Sequence, residues 1–129
     1  MGLGIFDETT PYQAFFDIQA ADGTAYKAFT ASQLGRIRVD AIYCSNDDSI
    51  AHYLQIAVFD GSAWSPYGTV TVPAGAGRTN VPAVEAIGLL IPAAIGAIII
   101  APFYQLGGRT DVAVTGGFDL YGTVQGGAV

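Results

Sequence analysis

The sequence predicts an all-β protein, a single-domain antiparallel β-sandwich of jelly-roll-like type with seven to nine short strands. Three observations carry this reading. From Arg36 to Val72 apolar and polar residues alternate, the period that puts successive side chains on opposite faces of a strand. Turn signals recur at short spacing, as SNDDS at 45–49, Asp60-Gly61, Ser65-Pro66 and Tyr67-Gly68, the pattern of a sandwich or barrel. Gly 17 and Pro 6 supply many tight turns, and no segment reads as a helix.

Residues 1–24 lack periodicity and are interrupted by Pro11 and Asp22-Gly23. They read as an N-terminal arm, with a short strand around Tyr12 to Ile18 at most, ahead of a sandwich domain over 25–129. Ala25 to Ala31 alternates weakly and predicts a first strand. Leu34 to Cys44 predicts a longer one, with Ile37, Val39, Ala41 and Tyr43 on one face and Arg36, Arg38 and Asp40 on the other. Ser45 to Ser49 is a solvated turn, because Asn and Asp side chains bond their own backbone there. His52 to Asp60 is a central strand, with Leu54, Ile56 and Val58 beside His52 on one face and Tyr53, Gln55, Ala57 and Phe59 on the other. Asp60-Gly61 marks a hairpin. Trp64 to Tyr67 is a short return broken by Pro66, a residue suited to an edge or bulge, and Gly68 to Val72 is a compact strand ended by Pro73. Ala74 to Pro82 reads as a flexible glycine-rich loop. Asp111 to Thr115 and Phe118 to Val124 predict a final pair of strands around Gly116-Gly117.

Ala86 to Leu106 holds no charged residue and has the length of a membrane span. Pro92, Pro102, Gly88 and Gly96 argue against a helix, and no basic cluster flanks it. The segment is read as a turn-rich stretch and a buried strand, Ala97 to Ala101, covered on both faces by the protein and a neighbouring subunit.

At 129 residues the chain fits one domain. Hydrophobic residues make up 51% and charged residues 12%, about half the usual charged share of a soluble domain. So apolar a composition implies surface covered by other subunits. The formal net charge is -6 with only five Lys and Arg; phosphate neutralisation needs a basic stripe that so few cations cannot build, so nucleic-acid binding is not expected. The single cysteine, Cys44, allows no internal disulfide, reads as a small buried hydrophobe, and fits synthesis in a reducing cytoplasm. Two early acids and no basic n-region argue against a secretory signal, and Phe6 stands where a myristoylation site needs Ser or Thr.

No catalytic constellation stands out, and the chain is not read as an enzyme. Asp47 and Asp48 could hold calcium but lack the spacing of a calcium loop; His52 is a packed histidine without a ligand set around it. Asp40, Asp60, Asp111 and Asp119 form no carboxylate pair for glycoside hydrolysis, and no Gly-x-Ser-x-Gly elbow appears. Gly75 and Gly77 lack the Lys-Ser/Thr pair of a phosphate loop. No cofactor or metal is expected. What remains is a set of interface candidates. Trp64, at a hairpin tip beside Ser and Pro, comes first, as an interface or glycan contact. Tyr67 and Tyr53 flank it, and Ile98, Ile99, Ile100 and Phe103 are assigned to burial against a partner.

From Tyr26 to about Val84, roughly half the chain, the sequence resembles a recurrent type of small virion protein of tailed bacteriophages and prophages. The resemblance is carried by Phe29-Thr30-Ala31, Arg36-Ile37, Ile42, Ser45-Asn46-Asp47, Ala51-His52, Asp60-Gly61, Gly68 to Gly77 and Pro82-Ala83-Val84. It implies a structural part of the particle, a head decoration or minor capsid protein, made in the bacterial cytoplasm and resident on the capsid surface. Its implied partners are the major capsid protein and copies of itself, with a trimer expected at a three-fold site. A carbohydrate- or receptor-binding module on the virion and a tail-tube or head–tail joining protein are the alternatives. The apolar 86–106 segment and the N-terminal arm depart from the pattern.

Overall fold

A computed structural model of the chain describes residues 10–31, 35–78, 80–90 and 97–128. Among them nine strands occur: β1 (Thr10–Gln19), β2 (Lys27–Ala31), β3 (Ile37–Asn46), β4 (His52–Phe59), β5 (Trp64–Val72), β6 (Val84–Glu85), β7 (Ile98–Ile100), β8 (Gln105–Thr110) and β9 (Asp119–Ala128). A 3-10 turn at Ala20–Asp22 and a one-turn helix, α1 (Ile87–Leu90), complete the set. One sheet runs β1-β9-β3-β6, with β7 also on β3; the other runs β2-β8-β4-β5. Every pairing is antiparallel.

β9 occupies one margin of β3 along its whole length, so β6 and β7 share the other. β6 lies opposite Tyr43 and Cys44, β7 opposite Ile37 to Val39. They are two halves of one interrupted edge strand. Counted so, the chain crosses between sheets at every connection except the β4–β5 hairpin, which is the jelly-roll path. The sandwich is thus the predicted one, closed at its centre by Ile18, Val39, Ile42, Leu54, Ile56, Val72, Leu106 and Leu120, all essentially inaccessible. Burying each such side chain contributes about 1.5–3 kcal/mol.

Glu85 fills the break in the edge strand. Its Oε2 accepts from the Ile42 amide at 3.0 Å and the Ile87 amide at 2.8 Å, and its Oε1 accepts from the Gly88 amide at 2.8 Å. One carboxylate thereby stands in for a missing ladder carbonyl and caps α1. Glu85→Ala strands the amides of buried Ile42 and Ile87, whereas the Gly88 amide, whose bond is exposed, can turn to water. The expected loss is about 2 kcal/mol, read as a lower urea midpoint at unchanged m-value.

Five sequence expectations need correction. The segment 10–24 is not a loose arm: the short strand expected around Tyr12 to Ile18 is there and is longer, β1 pairing with β9 over ten consecutive residues, Thr10 opposite Ala128 to Gln19 opposite Asp119; residues 1–9 of the expected arm lie outside the described residues. In β3 a bulge between Val39 and Ala41 shifts the register. Ile37 and Val39 face the core as expected, but beyond the bulge Ile42 and Cys44 are buried while Ala41 and Tyr43 turn outward. Asp111 to Thr115 is not a strand; the strand is the preceding QLGGRT of β8. Its glycines break the alternation but are required by packing, since a Cβ on Gly107 would strike the Lys27 carbonyl and one on Gly108 would lie 2.7 Å from the Gln55 carbonyl. The 74–82 loop is held in place where described: Asn46 N–H donates to the Ala76 carbonyl at 2.9 Å, Gly77 N–H to Val81 at 2.7 Å, and Ala76 is fully buried. Gly77, at φ 82°, also abuts Ser45, so only glycine fits.

The fifth concerns the apolar stretch. Ile98 and Ile100 are buried in this chain's own core and cannot contact a partner; only Ile99, 50% exposed, faces outward. Residues 98–100 are strand, 87–90 are helix, and no helix among the described residues is long and apolar enough to cross a membrane.

Candidate functional site

Three clusters gather the chemistry-bearing side chains. The first lies at the end of the sandwich formed by the turns at 46–52, 73–83 and 111–118. There Asn46, Asp47 and Asp48 each tie a different loop. Asn46 Nδ2 donates to the carbonyls of Ile50 at 2.9 Å and Val72 and Pro73 at 3.3 Å. Asp47 Oδ1 accepts from the Asp119 amide. Asp48 is engaged at both oxygens, Oδ2 by His52 Nε2 and the Thr115 amide, each at 2.9 Å, and Oδ1 by the Ser49 amide at 2.6 Å. An ionised carboxylate only accepts, so Nε2 carries the His52 hydrogen.

The Asp48 and His52 side chains are both fully buried. Burial alone would raise the Asp48 carboxyl, but the hydrogen bonds from His52, Thr115 and Ser49 outweigh it and hold the group well below the usual carboxylate range. The SNDDS turn is therefore a buried knot, not the solvated turn its composition suggests, and the two aspartates diverge toward separate partners. His52 is packed, as expected, but against a buried carboxylate to which its Nε2 donates. Its Nδ1 is buried without a hydrogen bond among the described residues and lies 4.0 Å from Asp111 Oδ1.

Cys44 behaves as a buried hydrophobe. Burial, with the nearby Glu85 charge adding, pushes its thiol up to about 12. A disulfide-exchange reagent at pH 8 is expected to leave native protein unlabelled and to modify one thiol per chain once the fold is opened by denaturant.

The second cluster is the outer face of the β2-β8-β4-β5 sheet. Phe59 pairs with Trp64, and Ala57 pairs with both Pro66 and Gly107, so these residues share that face. Trp64 is half-buried: it stacks on Tyr26 at 4.8 Å between centroids and tilts against Phe59 at 5.1 Å. A Cβ on Gly107 would lie 2.7 Å from Trp64 Cη2. The absent side chain is what lets the indole lie across β8. The first-ranked interface candidate is thus largely engaged by its own chain. Beside it the Arg109 guanidinium lies 4.9 Å from the Tyr26 ring centroid, and Tyr53, 55% exposed, stands on the same face.

The third cluster lies at the opposite end, where Phe59 sits across from Gln105. Tyr67, the unpaired residue of the β5 bulge, shares a depression of about 290 Å³ with Val58, Asp60, Ser65, Pro66 and Tyr104. Tyr67 and Trp64 therefore belong to different clusters. Asp60 Oδ1 accepts from the amides of Ala63 and Ser62 and the Ser62 hydroxyl, which fixes the hairpin and holds the carboxyl below its ordinary range. The Tyr104 amide donates to the Ala101 carbonyl at 3.1 Å, closing a turn with Pro102 second and Phe103 third. Phe103 has φ 67°, the only positive φ outside glycine among the described residues, and its ring is 66% exposed. A positive φ at that position ordinarily calls for glycine or asparagine. Sequence reasoning named Tyr67 and Phe103 and missed Tyr104, Tyr26 and Arg109, whose positions depend on which turns and strands meet. No protein-family model matches the chain, and no curated protein matches it.

Proposed function

We propose that this protein is a non-enzymatic structural subunit of a virion, a capsid decoration or minor capsid protein that docks on the head lattice through Phe103, Tyr104 and Tyr67. The observation that carries the reading is Phe103: a bulky residue held at φ 67° with two-thirds of its ring in solvent. Backbone strain of this sort costs about 1–3 kcal/mol, and an exposed phenyl ring returns little of it by folding. A partner that covers the ring would. Aromatic anchors concentrated at one spot are what interface hot spots consist of.

Two further points support the reading. The Asp–His pair that could have served as an acid–base couple is enclosed and engaged in tying loops together. The resemblance to small phage virion proteins includes Asn46, Asp47 and His52 of that knot and the turn after Pro73, as a shared scaffold would. The proposal places the protein on the capsid surface after synthesis in the bacterial cytoplasm, self-associated as a trimer. Co-sedimentation of the purified chain with emptied heads of the encoding virus tests it. Saturable binding at a fixed ratio to the major capsid protein is expected, and failure to sediment with any head preparation would remove the proposal.

A further inference from the structure

On the outer face of the β2-β8-β4-β5 sheet, away from the proposed docking end, lies a shallow depression of about 250 Å³. It is lined by Thr24, Tyr53, Gln55, Thr69, Arg109, Thr110 and Asp111. We propose that it binds one ring of a neutral saccharide, with the pyranose against Tyr53 and its hydroxyls bridging Asp111 and Arg109. The volume falls below the roughly 300–1,000 Å³ of sites that enclose drug-sized ligands, so a single ring is the matching size.

Several polar atoms of the depression are fixed by bonds within the fold, and others are left over to face the opening. Gln55 Oε1 accepts from the Tyr26 hydroxyl at 2.5 Å and from Arg109 Nε at 2.9 Å. With its oxygen doubly engaged, the amide orientation is set and the Nε2 donors are the end left free among the described residues. Arg109 is clamped by the same bond and by its approach to the Tyr26 ring. Its terminal amino groups meet no carboxylate within 4.0 Å among the described residues. Asp111 Oδ1 accepts from the Tyr53 amide at 3.1 Å and faces His52 Nδ1, which leaves Oδ2 as the oxygen unengaged among the described residues.

The depression thus offers two sets of donors and one acceptor carboxylate, each aimed by bonds made on its far side, beside an exposed aromatic ring. Vicinal hydroxyls both donate and accept, and they match that set. The one guanidinium and one carboxylate cancel, so the site has no net charge to draw a phosphate or sulfate. Aromatic faces stack on the apolar face of a sugar through its C–H groups, and preorganised polar groups limit the ordering that binding requires.

Saturation-transfer NMR on the full chain tests this with the methyl glycosides of glucose, galactose, mannose and N-acetylglucosamine, and with methyl glucuronide as the anionic comparison. A neutral glycoside is expected to take up saturation with a Kd on the order of 1–10 mM. Tyr53→Ala should weaken it about tenfold. Asp111→Asn, which can still accept from the Tyr53 amide and so preserves the fold, should weaken it about fivefold. Silence from all four neutral glycosides at several times that concentration overturns the proposal, as does transfer to the glucuronide alone or transfer that both variants leave unchanged. Because the assay uses the free protein, its failure leaves lattice docking standing, and failure of lattice docking leaves this site standing.

Discussion

Asp48→Ala is expected to destabilise the fold by about 3–5 kcal/mol, since it removes the acceptor of three hydrogen bonds at once and each stranded donor costs about 1–3 kcal/mol. A domain of this kind has a total stability of about 5–15 kcal/mol, so the variant would unfold at a far lower temperature or fail to accumulate. The size of the effect follows from the number of groups left without a partner: His52 Nε2, the Thr115 amide and the Ser49 amide all donate to this carboxylate. The pH dependence has a definite sign. Asp48 binds its proton less readily folded than unfolded, because the donors around it outweigh the effect of burial. Its stabilisation is therefore fully present above the unfolded value of about 3.9 and is lost as pH falls below that toward the folded value. Asp48→Asn keeps the shape and removes the charge. The stability gap between the native chain and this variant should be level at neutral pH and close progressively below about pH 4, as urea titrations across pH would show. A gap that stays constant down to pH 2 would mean that the loss comes from the mismatched amide donor of the variant and not from the missing charge.

The legibility of the fold in the sequence varied with what set each strand. β4 and the second half of β5 were legible because Leu54, Ile56, Val70 and Val72 alternate with outward Tyr53, Gln55, Thr69 and Thr71, the periodicity on which pattern reading depends. β8 was not, because its glycines are imposed by the neighbouring strands and carry no hydropathy signal. The face assignment of β3 failed beyond Asp40 because one bulge residue inverts every later position. β1 was read only as a short strand around Tyr12 to Ile18 within an arm, because an outward Phe15 disguises the alternation of Tyr12, Ala14, Phe16 and Ile18.

The candidate site was legible as residue types and illegible as groupings. Tyr53, Tyr67 and Phe103 are all exposed, yet Tyr53 stands on a different surface from the other two, and Ile98 and Ile100 flank Ile99 only to face the interior. Trp64 was the natural choice by exposure statistics for a hairpin tip. The stack with Tyr26 that covers it spans 38 residues of sequence and depends on β2 and β5 sharing a sheet with β8 and β4 between them. Long-range relations of this kind have no local signature.

Phe103→Gly is expected to move stability and assembly in opposite directions. Glycine adopts φ 67° without the Cβ clash, so relief of strain should stabilise the isolated chain by about 1 kcal/mol. The ring is 66% exposed, so little buried apolar area is lost in exchange. Binding to the capsid lattice should instead fall by about thirtyfold or more, the effect of deleting a hot-spot side chain worth 2 kcal/mol or more. Phe103→Asn separates the two contributions, since asparagine tolerates the left-handed region but supplies no ring: it too should stabilise and fail to dock. Tyr104→Ala, lacking any strain to relieve, should weaken docking without the gain in stability. A more stable Phe103→Gly protein that sediments with heads as tightly as the native chain would show that the strained turn serves the fold, and would move the lattice contact to another surface. A less stable one would mean that the phenyl ring, despite its exposure, packs well enough in the free protein to offset its backbone.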